Sequence, residues 1–239
     1  MKYMSDKRVT AILLAAGKGT RMGGSVRKQY MELDGRPLLS YSLETLEKSH
    51  VITDIVVVVP DGEAGYVAEN IVKPVEEAGG RVRKFVSGGA ERCDSVRCGI
   101  EAIDWPCDYV FIHDGARPFI SEETLQHLYD DVMKNGACVA AVPSKDTVKI
   151  SDDSGFVKAT PERRNVWIIQ TPQCFEFELA KDAYEKVTAG PGITDDAMVI
   201  EKMTGHKVKL TLSDYRNIKV TTPEDIEVAR SFVLSGGSE

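Results

Sequence analysis

The chain has 239 residues, 42% of them hydrophobic and 28% charged, which is apolar material for one sizeable core. Its 37 acids against 30 Lys and Arg leave a net charge of −7, which excludes the broad basic stripe of a nucleic-acid binder but not a local cluster of cations for a small phosphorylated ligand. No apolar run is long enough to span a bilayer and the stretch from Met1 to Val9 has no signal-peptide core, so a cytoplasmic protein is expected.

The first element is an apolar strand, Ala11-Ile-Leu-Leu14, breaking into a loop with four glycines and the cations Lys18, Arg21, Arg27 and Lys28. From Lys7 to Met31 there is no acid, so positive charge is concentrated where the backbone is freest to turn its N–H groups outward. The spacing Gly17-x-Gly19-x-x-x-Gly23 is neither the dinucleotide fingerprint nor a P-loop. A plain βα turn would explain the glycines; the charge bias points to phosphate.

Leu39, Leu43 and Leu46 lie at helical spacing, and Asp54-Ile-Val-Val-Val-Val59 reads as a buried strand. A helix over 66–77 ended by Gly79-Gly80, a strand over 81–86 and a second glycine pair, Gly88-Gly89, come next. The spacing predicts a helix over 95–103 capped by Asp94, a strand over 108–113 running into Asp114, a helix opening with Ser121-Glu-Glu, and a strand over 138–142. Strands alternating with helices imply an α/β fold: a single Rossmann-like domain with a mostly parallel central sheet flanked by helices and ligands at the carboxyl ends of the strands.

That rhythm stops at Pro143. Residues 147–150 and 156–160 read as a polar hairpin with a turn at Ser151-Asp-Asp-Ser-Gly155, either an arm reaching a second copy or a hairpin folded back on its own domain. A strand over 166–170 leads through Thr171-Pro-Gln-Cys-Phe175 to a helix over 177–187, and a helix over 195–204 takes Thr194 as its cap. Strands over 208–211 and 217–220, a last helix begun by Thr222-Pro223 and a disordered tail over 235–239 complete one domain, 1–239, with an arm at about 143–165. The five cysteines include no C-x-x-C pair, so neither a zinc site nor a disulfide framework is expected.

Several stretches together resemble one family. They are Ala15-Ala-Gly-Lys-Gly-Thr-Arg-Met22 with Lys28-Gln-Tyr30, Gly88-Gly-x-x-Arg92-x-Asp94-Ser95-Val96, His113-Asp-Gly-Ala-Arg-Pro118, Asp146-Thr147, Gln170-Thr-Pro-Gln173, Ile193-Thr-Asp195 and Asn217-Ile-Lys219. In this order, from Val9 to Ala229, they are similar to the 2-C-methyl-D-erythritol 4-phosphate cytidylyltransferases of the non-mevalonate route to isoprenoids. The resemblance implies transfer of CMP from CTP to the polyol phosphate with a divalent metal, usually magnesium, and a homodimer joined through the arm. It assigns Arg21, Lys28 and Lys219 to catalysis and Ala15, Ala16, Gly17, Gly19, Gly89, Arg92 and Ser95 to CTP. Asp114, Arg117, Thr147, Arg164, Thr171 and Thr194 go to the polyol phosphate, with Thr147 and Arg164 reaching the neighbouring subunit's site; as a carboxylate at the carboxyl end of its strand, Asp114 is also placed to meet a metal. Arg27 stands where the family usually has Pro.

The residues leave bland readings beside these. Asp114 could cap the turn after its strand, Arg92 could pair with a nearby acid, and His113 is better explained as strand packing than as a catalyst. A phosphate monoester is already mostly ionised at neutral pH, its second pKa lying near about 6, so the expected chemistry needs no general base. The competing activities are a ribitol-5-phosphate cytidylyltransferase and a non-catalytic CTP-binding sensor; a nicotinamide dehydrogenase is more distant.

Overall fold

In the computed structural model, which describes residues 7–17, 30–75, 80–188 and 192–236, the apolar runs of the first half become neighbouring strands of one sheet. β1 (Val9–Leu14) is followed by the short pair β2 (Glu32–Leu33) and β3 (Arg36–Pro37) and by α1 (Leu38–Lys48). Next come β4 (Asp54–Val59), α2 (Ala64–Val67) prolonged by a π-type turn over Ala68–Val72, β5 (Val82–Ser87), α3 (Arg92–Glu101), β6 (Tyr109–Asp114), α4 (Glu122–Asn135) and β7 (Ala137–Pro143). The hairpin β8 (Ile150–Ser151) and β9 (Val157–Ala159) precedes β10 (Trp167–Glu176), α5 (Phe177–Lys186), α6 (Asp196–Thr204), β11 (Lys209–Leu212) and α7 (Pro223–Gly236).

The seven-stranded sheet has the order β11-β7-β10-β6-β1-β4-β5. Its pairs are parallel except those of β10, which runs antiparallel to both β6 and β7. Successive residues of a strand face opposite sides, and both sides are covered here. Ala11, Leu13, Ile55, Val57 and Phe111 meet Leu39, Leu43 and Leu46 of α1 and Leu125, Leu128 and Val132 of α4. Ile12, Val56, Val58, Val110 and Ile112 meet Val96 and Ile100 of α3, Ala180 and Tyr184 of α5, and Val199 and Ile200 of α6. Each fully buried Leu, Ile or Val of this kind stabilises the fold by about 1.5–3 kcal/mol, which is why the strands read as continuous apolar runs. α7 closes a smaller cluster of Leu33, Leu38, Val220 and Ala229.

Local chemistry sets the helix ends. Ser121 caps α4 by accepting a hydrogen bond from the Thr124 N–H, Glu122 and Glu123 fill the first turn, and Gly136 ends the helix in the left-handed conformation (φ 73°). α3 starts earlier than expected: Glu91 holds the cap position, and Asp94, three residues on, reaches back with Oδ2 to the Glu91 N–H at 3.2 Å.

Other boundaries differ as well. The helix expected over 66–77 begins at Ala64 and changes to a π-type turn at Ala68; residues 76–79 lie outside the described residues. Residues 166–176 were expected to contain only a short strand and a link. They form one ten-residue strand whose register shifts between Ile169 and Gln173, because a bulge admits the Thr171-Pro172 step without ending the ladder. Residues 217–220 lack a strand ladder and are fixed instead by Val220 N–H donating to Ala116 O at 2.9 Å. The expected tail is helical through Gly236, and 237–239 lie outside the described residues.

The hairpin is a two-stranded sheet of its own, and residues 149–160 are all exposed, with Phe156 73% accessible. It is therefore not folded back on its own domain.

Candidate active site

The loops after β1 and β5 meet at the carboxyl end of the sheet. Ala15 donates its N–H to Val58 O at 2.7 Å and is buried, Ala16 is half-buried and Gly17 is exposed. Gly88 fits against that loop because it has no Cβ; one placed there would lie 2.4 Å from Ala16 Cβ and 2.8 Å from Ser95 Oγ. Ser95, in the first turns of α3, accepts from the Gly89 N–H at 3.1 Å and donates to Glu91 O at 3.1 Å, which sets the exposed Gly89 at the loop tip. These contacts bring Ala16, Gly89 and Ser95 together through Gly88, with Ala15 beside them and Gly17 next along the chain. Lys18, Gly19, Arg21, Arg27 and Lys28 lie outside the described residues.

The neighbouring end of β6 carries Asp114, which is 7% exposed. Its Oδ1 accepts from Arg92 Nε at 3.2 Å and its Oδ2 from Lys219 Nζ at 2.6 Å. Burial alone would raise this carboxyl, but the Arg92 and Lys219 cations, with Arg117 nearby, hold it well below the usual carboxylate range. Arg92 is shared with the buried Asp196, so three cations stand against two carboxylates and still leave net positive charge, the condition for receiving an anion.

His113 orders the same corner from beneath. It is fully buried, and that burial pushes its pKa down to about 4 despite the Asp114 charge. Nε2 lies 3.1 Å from Arg117 O, which can only accept, so the ring proton sits on Nε2 and Nδ1 is an acceptor. Thr171 Oγ1, 3.1 Å from Nδ1, donates to it and accepts the Asp114 N–H at 3.0 Å. Imidazole, hydroxyl and Asp114 backbone thus form a closed series with a neutral histidine, which agrees with the packing role expected for His113 and leaves it no free nitrogen for catalysis.

Lys219 is positioned by a residue the sequence offered only as part of a motif. Asn217 is buried, donates Nδ2 to Thr171 O at 2.9 Å and to Gln170 Oε1 at 3.1 Å, and accepts Arg117 Nη1 on its carbonyl at 2.7 Å. Two residues later, Lys219 turns toward Asp114. The buried Arg117 Nε and Asn217 Oδ1 have no hydrogen-bond partner among the described residues, so the corner keeps polar capacity in reserve.

Thr194 does not cap α6. Asp195, with an extended backbone, does so by accepting the Met198 N–H at 2.9 Å, and Thr194 just before it is exposed with its hydroxyl 3.9 Å from Met198 Sδ. Gln173 on β10 holds this helix start, accepting the Ala197 N–H at 2.7 Å and donating to Asp195 Oδ2 at 3.3 Å. Arg92, expected to meet CTP, pairs its Nη1 and Nη2 with Asp196 at 2.6 and 2.8 Å. Thr147 and Arg164 stay in the exposed arm region; Arg164 pairs with Glu162 at 2.6 Å and is not brought to Asp114.

A metal at Asp114 does not fit these surroundings. Both of its oxygens already accept from cations, and no group of three His, Cys, Asp or Glu able to hold an ion occurs among the described residues.

A family model described as 2-C-methyl-D-erythritol 4-phosphate cytidylyltransferase matches residues 9–235. The chain belongs to this family. The relative of that description from Lachnoclostridium phytofermentans is 45% identical over 229 residues, covering 95% of this chain and 97% of the relative. That from Alkaliphilus oremlandii is 41% identical over 227 residues, covering 95% of each. The crystal structure of 4-diphosphocytidyl-2C-methyl-D-erythritol synthase from Anaerococcus prevotii superposes with a TM-score of 0.83 at 36% identity, covering 95% of this chain and 99% of that one. The two clusters just described adjoin at the carboxyl end of the sheet. One is glycine-rich and presents backbone, while the other is ringed by Arg92, Arg117 and Lys219.

Proposed function

We infer that the protein transfers CMP from CTP to 2-C-methyl-D-erythritol 4-phosphate, releasing pyrophosphate and forming 4-diphosphocytidyl-2-C-methyl-D-erythritol. The observation that carries this reading is the Asp114 corner, a buried carboxylate held by Arg92 and Lys219 with Arg117 beside it, next to the glycine-rich loops after β1 and β5. These loops suit a nucleotide, with Ala15, Ala16, Gly89 and Ser95 meeting base and ribose, and Arg21 and Lys28 meeting the triphosphate. The corner suits a second phosphate.

The attacking group is a phosphate oxygen that is ionised without help near neutral pH. A base is not needed, and His113, buried and neutral with both nitrogens engaged, is not built as one. The protein's task is to bring two anions together. Lys219 and Arg117 hold the polyol phosphate while Arg21 and Lys28 stabilise the charge that gathers on the α-phosphate and on departing pyrophosphate. Asp114 keeps the Lys219 ammonium in place, the buried Thr171 hydroxyl fixes the Asp114 backbone against His113, and the exposed Thr194 offers its hydroxyl to the phosphate. A magnesium ion is expected with the nucleotide, but the described residues supply no set to hold one, so no step here depends on it.

The exposed arm fits a homodimer in which Thr147 and Arg164 complete the neighbouring subunit's site. Ile150, Phe156 and Val157 offer apolar surface for that contact, being 49%, 73% and 62% exposed. No helix of the described residues is long and apolar enough to cross a membrane, and a cytoplasmic, single-domain enzyme is proposed. Pyrophosphate release measured with CTP and either methylerythritol phosphate or ribitol 5-phosphate tests the reading. Faster turnover of ribitol phosphate would replace the substrate, and CTP binding without turnover of either would replace the enzyme by a sensor.

A further inference from the structure

Arg92 opens α3 three residues after Gly89 of the second glycine pair, where it was expected to meet CTP. Its side chain points elsewhere. Nε reaches Asp114 Oδ1 at 3.2 Å, while Nη1 and Nη2 meet Asp196 Oδ1 and Oδ2 at 2.6 and 2.8 Å in a fork-to-fork pair. Asp196 is the first residue of α6 and is 1% exposed, and the hydroxyl of Tyr184 on α5 donates to its Oδ1 at 2.5 Å. A carboxylate this buried is tolerated because three donors converge on it. The Tyr184 hydroxyl, raised by burial and then by the Asp196 charge, stays protonated as the donor.

The cluster therefore ties three helices to one strand end. α3 brings Arg92, α5 brings Tyr184, α6 brings Asp196 and β6 brings Asp114. What it fixes is the polyol-phosphate side: the carboxylate that holds Lys219, and the start of α6, immediately after Asp195 and Thr194. We propose that Arg92, Asp196 and Tyr184 are positioning residues for the polyol phosphate, so that Arg92 serves that substrate through Asp114 and α6 and does not serve CTP. This rests on the reaction inferred above.

The experiment is steady-state kinetics with each substrate varied against saturating amounts of the other, on the full chain and the variants Arg92→Lys, Asp196→Asn and Tyr184→Phe. Lysine cannot span both carboxylates, so Arg92→Lys releases one of them, and Asp196→Asn keeps the shape while removing the charge that engages the guanidinium. Both are expected to raise KM for the polyol phosphate by roughly 10- to 100-fold, with KM for CTP within about twofold of the parent. Tyr184→Phe removes one donor and should raise the same constant by roughly 3- to 10-fold.

A merely structural role would lower active enzyme without separating the two constants. The inference is overturned by an equal or larger rise in KM for CTP, or by no rise in KM for the polyol phosphate. Should Arg92→Lys and Asp196→Asn fail to fold, Tyr184→Phe decides by the same criterion, since it leaves both charges in place. Wild-type turnover separates this inference from the reaction on which it rests. Without it the reaction falls and takes the positioning role with it; with it, an absent split refutes the positioning role alone.

Discussion

The Asp114 corner and the hairpin arm both carry polar side chains assigned to the same substrate, and their surroundings are opposite. At the corner polar groups are joined to one another within the chain: Arg92 and Lys219 on Asp114, Asn217 on Thr171 and Gln170, His113 on Thr171 and Arg117. In the arm, residues 149–160 are exposed throughout, and Arg164 nearby meets only its local neighbour Glu162 among the described contacts. A buried charge must be paired wherever it sits, so the corner is assembled within one chain. An exposed charge needs no partner to be stable, so the arm can remain ready for one supplied by a second copy.

That contrast can be broken or sharpened by experiment. Lys219→Ala should lower kcat/KM by about 10²–10³, since it removes a fixed cation from the reacting phosphate, and should also lower the melting temperature because Asp114 loses a partner. Arg164→Ala should cost activity on a similar scale with the melting curve unchanged, because an exposed ion pair contributes about 0–1 kcal/mol. If the arm completes a neighbour's site, mixing the two inactive variants and allowing subunits to exchange should restore up to about a quarter of wild-type activity. Failure to regain activity despite demonstrated exchange would place Arg164 in its own subunit's site.

His113 tests how firmly the corner is set. Its folded pKa of about 4 lies below the unfolded value of about 6.5, so between them the unfolded chain binds a proton that the folded chain does not. Its stabilising contribution is complete above about pH 6.5 and is lost as the pH falls toward 4, amounting to about 3 kcal/mol. Urea unfolding from pH 7 to 4 should record that decline, and His113→Asn should flatten it; parallel profiles would mean the buried imidazole is not the source. The smallest expected effect is at Phe156, which is 73% exposed. Phe156→Ser should leave folding stability within about 0.5 kcal/mol at concentrations where subunits are separate, yet weaken self-association in sedimentation.

Much of this architecture was legible in the chain. The spacing of Leu39, Leu43 and Leu46 predicted α1 and its buried face, and the valines of β4 predicted a strand covered on both sides. Alternation of strands and helices placed the glycine loops and Asp114 at one edge of the sheet. The misplaced ends lay where two neighbouring residues could do the same job. Asp94 and Glu91 both suit an α3 cap, and Thr194 and Asp195 both suit that of α6; in each case the backbone path into the helix decided. β10 was read as too short because a Thr-Pro step looks like an ending, whereas a bulge carried the ladder past it.

By itself, the sequence determined the elements, the local concentration of positive charge and the order of motifs that marks the family, because periodicity, turn chemistry and composition act over a few residues. Tertiary structure alone decided the partners. Arg92 meets Asp114 and Asp196, 22 and 104 residues away along the chain, and Lys219 comes to Asp114 across 105 residues. A charged side chain entering a buried corner settles on whichever opposite charge the fold brings nearest, and that choice is written in three dimensions.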